Sequence, residues 1–189
     1  MKKISIKEKT TLSKGWSHLQ KITYEYEGEL QTRESYDRGD GITVLLYNLE
    51  RKTVILTRQF RIPTYLNGNP TGLMIETCAG KLEDVNPEQG MMREIEEETG
   101  YRIPHLEKVF ECYMSPGSVT EILHFFIAAY TESMKVSDGG GLDEEQENIE
   151  VLEMSFKDAL GLIKKGDIKD AKTIMLLQYA QINLKALNS

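Results

Sequence analysis

Over the first third of the chain apolar residues alternate with polar ones at a period of two. "KITYEYEGE" (residues 21–29), "LQTRESYD" (30–37) and "ITVLLYNLE" (42–50) carry β-branched and aromatic residues at strand spacing. "RGDG" (38–41) supplies Gly and Asp where a turn needs positive φ. "LERKTVILTRQF" reads as a hairpin leading into a strand that ends near Phe60, and "TYLNGNPTG" (64–72) as a turn-rich loop. "LMIETCAG" (73–80) predicts a buried strand stopped by glycine.

The period then lengthens. Asn86 is a candidate N-cap, Pro87 suits the first helical position, Gln89 completes a capping box, and Gly100 is a stop signal. These marks predict a helix of roughly 13 residues, a common length. Strands are expected at 106–114 and 121–130 around the turn "SPGS". A Gly-rich acidic loop, "SDGGGLDEEQEN" (137–148), leads to a last strand, "IEVLEMS". "FKDALGLIKKG" and "DAKTIMLLQYAQINLKAL" predict two closing helices. There is no internal repeat. Strands and helices interleave, so the expected fold class is α/β, in layers.

The 189 residues suit one compact domain with a small appendage. A formal net charge of -7 argues against nucleic acid or anionic lipid as partner, so a phosphate substrate would need local cations. Cys78 and Cys112 lie in apolar runs and read as buried thiols, not a disulfide framework. No stretch is long and apolar enough to span a membrane, and "MKKISIKEKTTLSKG" lacks the apolar segment of a signal peptide. The expected setting is cytoplasmic.

The chemistry concentrates in "REIEEETGY" (93–101), where Glu94, Glu96, Glu97 and Glu98 fall within five residues. On a wheel of about 100° per residue, Glu94, Glu97 and Glu98 share one face and Glu96 points elsewhere. Met91, Met92, Ile95 and Thr99 form the apolar face. Most charge runs are simply solvated faces. Three converging carboxylates, however, repel one another unless cations lie between them, and Mg²⁺ and Mn²⁺ prefer such oxygen ligands. Arg93 is placed to orient one carboxylate. Gly80 lets a backbone carbonyl reach the same point.

From Gly80 to Tyr101 the chain resembles the Nudix box. Its second half matches throughout, at Arg93, Glu94, Ile95, Glu97, Glu98, Gly100 and Tyr101. The first half departs: twelve residues separate Gly80 from Arg93, one fewer than the pattern carries. Val85 or Asn86, depending on the direction of counting, stands where the pattern has its first glutamate. "YDRGDG", "LTRQFR", "IETCAG", "YMSPGSVTE" and "DAKT" extend the resemblance to Nudix pyrophosphatases of nucleotide sugars.

That resemblance implies a Nudix-type α/β/α sandwich with a mixed sheet over 41–189 and an N-terminal strand extension over 1–40 that exchanges across a homodimer. It implies Mg²⁺-dependent hydrolysis of GDP-mannose to GMP and mannose 1-phosphate, with Mn²⁺ as a substitute cation. ADP-ribose or a broader set of nucleoside diphosphate sugars is the alternative, and a non-catalytic ligand sensor the alternative of another class. The retained box glutamates argue against the sensor. Metal would be held by Glu94, Glu98, the carbonyl of Ala79 and an acid of the loop before "IEVLE": Glu147 is best placed, with Glu144 and Glu145 open. Glu98, Glu147 and Glu94 would serve catalysis. Substrate contacts would come from Trp16, Arg33, Glu34, Arg61, Ala79, Gly80, Lys81, Glu121 and Lys172. Trp16 sits in polar surroundings, which favours exposure. The glycine run 139–141 reads as a hinge rather than a phosphate cradle, since no helix start follows it.

Overall fold

The structure is a computed structural model and describes residues 3–83, 86–142 and 147–187. The chain divides into two compact units, Met1–Gly41 with Glu111–Leu123, and Ile42–Phe110 with His124–Ser189.

In the first unit β1 (Ile4–Lys14), β2 (His18–Tyr26) and β3 (Glu29–Asp37) form an antiparallel sheet in the order β1-β2-β3. Glu27 and Gly28 join β2 to β3, both at positive φ (55° and 83°), the two-residue hairpin that matches strand twist. β1 is not separable in the hydropathy pattern, because its pairing shifts register between Ile6 and Glu8 and again between Thr11 and Ser13. Each bulge breaks the alternation. None of the three strands contains a buried residue. The 111–123 segment joins this unit through Tyr36, whose N–H donates to the Ser118 carbonyl and whose carbonyl accepts from Thr120 N–H.

The second unit is built on β4 (Gly41–Asn48), β5 (Thr53–Phe60), β6 (Leu73–Glu76), β7 (Cys78–Lys81), β8 (Glu107–Tyr113), β9 (Ile122–Ala129) and β10 (Glu150–Ser155). The main order is β10-β5-β4-β9-β8, with β6 on β5 and β7 on β4. Among the described residues the α-helices that accompany it are α1 (Ile62–Leu66), α2 (Pro87–Thr99), α3 (Phe156–Lys165) and α4 (Ala171–Asn183). β4 is central and buried along almost its whole length, hence its near-continuous apolar run. Ile42, Val44, Leu46, Ile55, Met91, Ile95 and Phe126 share the core. Each such side chain contributes about 1.5–3 kcal/mol on burial. The architecture is mixed α/β, as the pattern predicts. Among the described residues no helix is long and apolar enough to cross a membrane.

Two local differences from the sequence reading bear on the site. The expected strand over 73–80 is two strands, because the chain changes partner at Thr77. There Thr77 N–H donates to Thr173 Oγ1 of α4 at 2.7 Å rather than to a neighbouring strand. The loop after Phe60 contains the short helix α1, started by Pro63 and too brief to show a helical period.

Candidate active site

α2 forms as its sequence marks require. The Asn86 side chain accepts from Glu88 N–H at 2.9 Å, and Gly100 closes the helix in the left-handed region at φ 78°. Asn86, one of the two residues at the first-glutamate position of the shortened box, is thus occupied as the helix cap. Val85 lies outside the described residues.

Glu94, Glu96, Glu97 and Glu98 of α2 fall into three different environments. Glu96 is exposed and gripped by Arg102 through two bonds, 2.9 Å to Nε and 2.6 Å to Nη2. That bond and charge hold its carboxyl below its usual value. Glu94 and Glu97 are half-buried, and Arg93 lies 3.9 Å from each. Glu98 is 1% exposed, beside the apolar stripe of Met91 and Ile95. It accepts from Ala79 N–H at 3.3 Å, which ties the helix to β7. Burial raises its carboxyl to about 8, against the hydrogen bond from Cys78, and the charges of Glu94 and Glu147 add to the rise. Burial likewise pushes the Cys78 thiol up, with the Glu98 charge beside it. Cys112 is only half-buried, unlike the sequence expectation.

Gly80 explains how β7 and α2 approach so closely. A Cβ there would lie 2.2 Å from the Glu94 carboxyl carbon, so the Glu94 side chain occupies the space that any other residue would fill. Thr43 Oγ1, bonded to the Cys78 carbonyl at 3.0 Å and to Thr77 Oγ1 at 2.9 Å, fixes the strand from its other side.

Glu147 reaches the same region through the glycine run. Gly140 N–H donates to the Glu98 carbonyl and Gly141 N–H to the Glu97 carbonyl, at 2.9 and 3.1 Å. A Cβ on Gly139 would lie 2.5 Å from the Glu98 carbonyl oxygen. The run expected to be a hinge therefore clamps the loop to the end of α2. Glu147 folds back over Gly141, its carboxylate accepting from Leu142 N–H at 3.3 Å. Glu144 and Glu145 lie outside the described residues.

Arg61 and Lys172 come together on an acid that the sequence reading did not single out. Glu76 is 3% exposed. Its two oxygens take the Arg61 fork, Nε and Nη2 each at 3.0 Å, and Lys172 Nζ donates to it at 2.6 Å. Lys172 also donates to Asp170 at 2.8 Å. Burial works against the Glu76 charge, but Lys172 and Arg61 outweigh it and lower the carboxyl to about 2. The available signal was a single charge inside the apolar strand "LMIETC". A buried carboxylate needs partners, and Arg and Lys are the ones to look for.

Lys81 is exposed at the end of β7, while Ala79 and Gly80 are half-buried. In the first unit Arg33 and Glu34 line a cavity of about 500 Å³ with Tyr113 and residues 116–120. Glu121, in the same unit, pairs with Arg38 at 3.4 Å. Trp16 is 90% exposed, as its polar surroundings predict.

A profile described as the NUDIX domain matches residues 37–177. The chain belongs to the Nudix family. Its Nudix relatives include a GDP-mannose pyrophosphatase of Pectobacterium atrosepticum, 53% identical over 184 residues, covering 95% of this chain and 94% of that one. A GDP-mannose pyrophosphatase of Yersinia enterocolitica is 52% identical over 177 residues, covering 91% and 92%. Among solved structures, one described as an ADP compounds hydrolase superposes with a TM-score of 0.76 at 17% identity, covering 97% of this chain and 95% of that one. That likeness shows the Nudix fold.

Nudix hydrolases generally use a divalent metal. Among the described residues no three Asp, Glu, His or Cys side chains stand at metal-ligand spacing. The fit is one of donor chemistry. A fully buried carboxyl is raised to about 8 with Glu94 and Glu147 as its charged neighbours. A hard cation among these oxygens would reverse that rise, and without one the acids repel.

Proposed function

We propose that the chain hydrolyses GDP-mannose to GMP and mannose 1-phosphate, with Mg²⁺ as its cation and Mn²⁺ as a substitute. The observation that carries this reading is identity above 50% with two proteins named GDP-mannose pyrophosphatase, over more than nine-tenths of each chain. The oxygen of water bonds to one phosphorus as the bridging P–O bond breaks, and the two phosphomonoesters share the protons of the water. A bound divalent cation neutralises diphosphate oxygens and lowers the pKa of the attacking water. Glu94, Glu98, Glu147 and the Ala79 carbonyl are the groups to hold it. Glu147, whose loop is rooted by the glycine clamp, is also the acid assigned to take a proton. Arg61 and Lys172 supply the cations that an anionic substrate needs in a chain of net charge -7. Trp16 offers an aromatic face to the base, while Arg33, Glu34 and Glu121 recognise the rest of the substrate. The backbone at Ala79, Gly80 and Lys81 adds close contacts.

We assign the working form to a homodimer in the cytoplasm, without nucleic acid or membrane partners. The dimer is supported by the apolar residues that the first unit leaves exposed, Ile4, Ile6, Leu12 and Leu30 besides Trp16. Residues 1–40 serve as the exchanging extension and 41–189 as the hydrolase domain. The ADP compounds hydrolase fold keeps ADP-ribose hydrolysis as the second reading.

Product analysis on GDP-mannose, ADP-ribose and other nucleotide sugars, with and without Mg²⁺, tests the proposal. Metal-dependent release of GMP and mannose 1-phosphate is expected. ADP-ribose turnover equal to or faster than GDP-mannose turnover selects the second reading. No turnover of any nucleotide sugar refutes both.

A further inference from the structure

We propose that Glu76 is a positioning residue, which holds Arg61 and Lys172 so that their unused N–H groups meet the diphosphate of the substrate. The inference rests on the function proposed above and goes beyond it by assigning a role to a residue outside the box. Glu76 ends β6, three residues before Ala79, and is buried. Its carboxylate takes Nε and Nη2 of Arg61 in a bidentate fork. A guanidinium has five N–H donors, so the edge away from Glu76 remains open to an anion. Lys172 spends two of its three donors on Glu76 and Asp170 and keeps one.

Charge alone does not explain this arrangement. Two carboxylates, Glu76 and Asp170, balance two cations, Arg61 and Lys172, so the cluster is formally neutral. If attraction for phosphate were the only requirement, the carboxylates would work against it. Orientation is what they supply. The Arg61 side chain is 40% exposed and would otherwise sample many rotamers, whereas a bidentate pair to a side chain 4% exposed fixes its plane. Asp170 is itself fixed by capping α4, accepting from Thr173 N–H and Oγ1 at 2.9 and 2.6 Å. Thr173 Oγ1 in turn accepts from Thr77 N–H. The cluster thus joins α4 to the turn that leads into Ala79, on the metal side of the site.

The test measures GDP binding to the full chain by calorimetry without metal, together with KM and kcat for GDP-mannose with Mg²⁺. Glu76→Gln keeps the shape but presents an amide N–H₂ to a neighbouring donor. It should weaken GDP binding and raise KM by about tenfold or more, with kcat much less affected, the signature of lost ground-state positioning. The Mg²⁺-induced rise in melting temperature should be unchanged. Arg61→Ala should lose as much, and Glu76→Gln added to it should cost no more than about a further twofold, because the two act as one unit. Arg61→Lys covers the case in which Glu76→Gln does not fold: it keeps the charge without the fork and should behave like Arg61→Ala. Wild-type affinity in Glu76→Gln or Arg61→Lys, or additive losses in the double variant, overturns the proposal. A wild type that binds GDP yet hydrolyses no nucleotide sugar refutes the proposed function, and the binding measurements still decide the role of Glu76. No GDP binding by the wild type overturns the proposal for Glu76, while the proposed function stands or falls with GDP-mannose turnover.

Discussion

Gly80→Ala isolates the contact between β7 and α2. The added Cβ would stand 2.2 Å from the Glu94 carboxyl carbon and 2.4 and 2.5 Å from its two oxygens. Non-bonded carbons settle at about 3.5–4.0 Å, so the carboxyl must retreat by at least about 1.3 Å. Gly80 does not occupy the left-handed region, so alanine is compatible with its backbone. The obstructed atoms are the end of a flexible side chain that is 17% exposed, which gives them somewhere to go. Stability should therefore change little: replacing a glycine at a compatible position stabilises by about 0.4–1 kcal/mol through the unfolded chain, which offsets part of the crowding. Activity should fall steeply. A displacement of about 1 Å at a positioned group can cost roughly 100-fold, equivalent to about 2.7 kcal/mol of transition-state stabilisation. The assay is GMP release from GDP-mannose across a Mg²⁺ titration, alongside thermal melts without metal. The expected result is a metal-free melt close to wild type, a higher Mg²⁺ requirement and a kcat/KM lower by about two orders of magnitude. A folded Gly80→Ala protein within about threefold of wild-type kcat/KM at the same Mg²⁺ requirement would refute the placement of Glu94 at the metal.

Three further outcomes follow from the same geometry. Glu98→Gln should reduce turnover by more than the roughly 10–100-fold typical of a metal's outer-shell partners, with the fold retained by circular dichroism; full activity would remove Glu98 from the metal set. Glu96→Gln should leave the Mg²⁺-induced rise in melting temperature unchanged, since Glu96 is engaged with Arg102 on the exposed side of α2; a smaller rise would put Glu96 at the cation. Glu76 has a carboxyl lowered from 4.5 to about 2. The stability this provides, on the order of 3 kcal/mol, is fully present above pH 4.5 and lost as pH falls through about 2. Denaturant melts from pH 6 to 2 should show the wild type losing more stability than Glu76→Gln over that range, and parallel curves would contradict it.

The acidic helix was legible in the sequence because its information is local. The Asn86 cap, Pro87, the Gly100 stop and the spacing of Met91, Ile95 and the glutamates all lie within fifteen residues. Backbone sterics and a period of 3.6 suffice to read them. The separation of Glu96 from the other glutamates follows from the same period, and the structure gives Glu96 its own partner in Arg102. Strand β4 and the closing helices were readable for similar reasons. β1 was not, because its two register shifts obscure the alternation and its pairing is specified by β2.

What the sequence determined alone is the type of chemistry: a Nudix box on a capped helix, and a chain too acidic to bind a diphosphate without dedicated cations. What the tertiary structure decided is how those groups are held. No spacing rule joins Arg61, Glu76 and Lys172, which stand 15 and 96 residues apart along the chain and meet on one buried carboxylate. Nor could composition distinguish a hinge from a clamp at Gly139, Gly140 and Gly141, whose role depends on the carbonyls that α2 presents to them. Burial sets the reactive character of each acid, and burial depends on every element packed around it. Glu96 and Glu98 are two residues apart on one helix, yet one is a solvated ion-pair partner and the other a fully enclosed carboxyl raised to about 8.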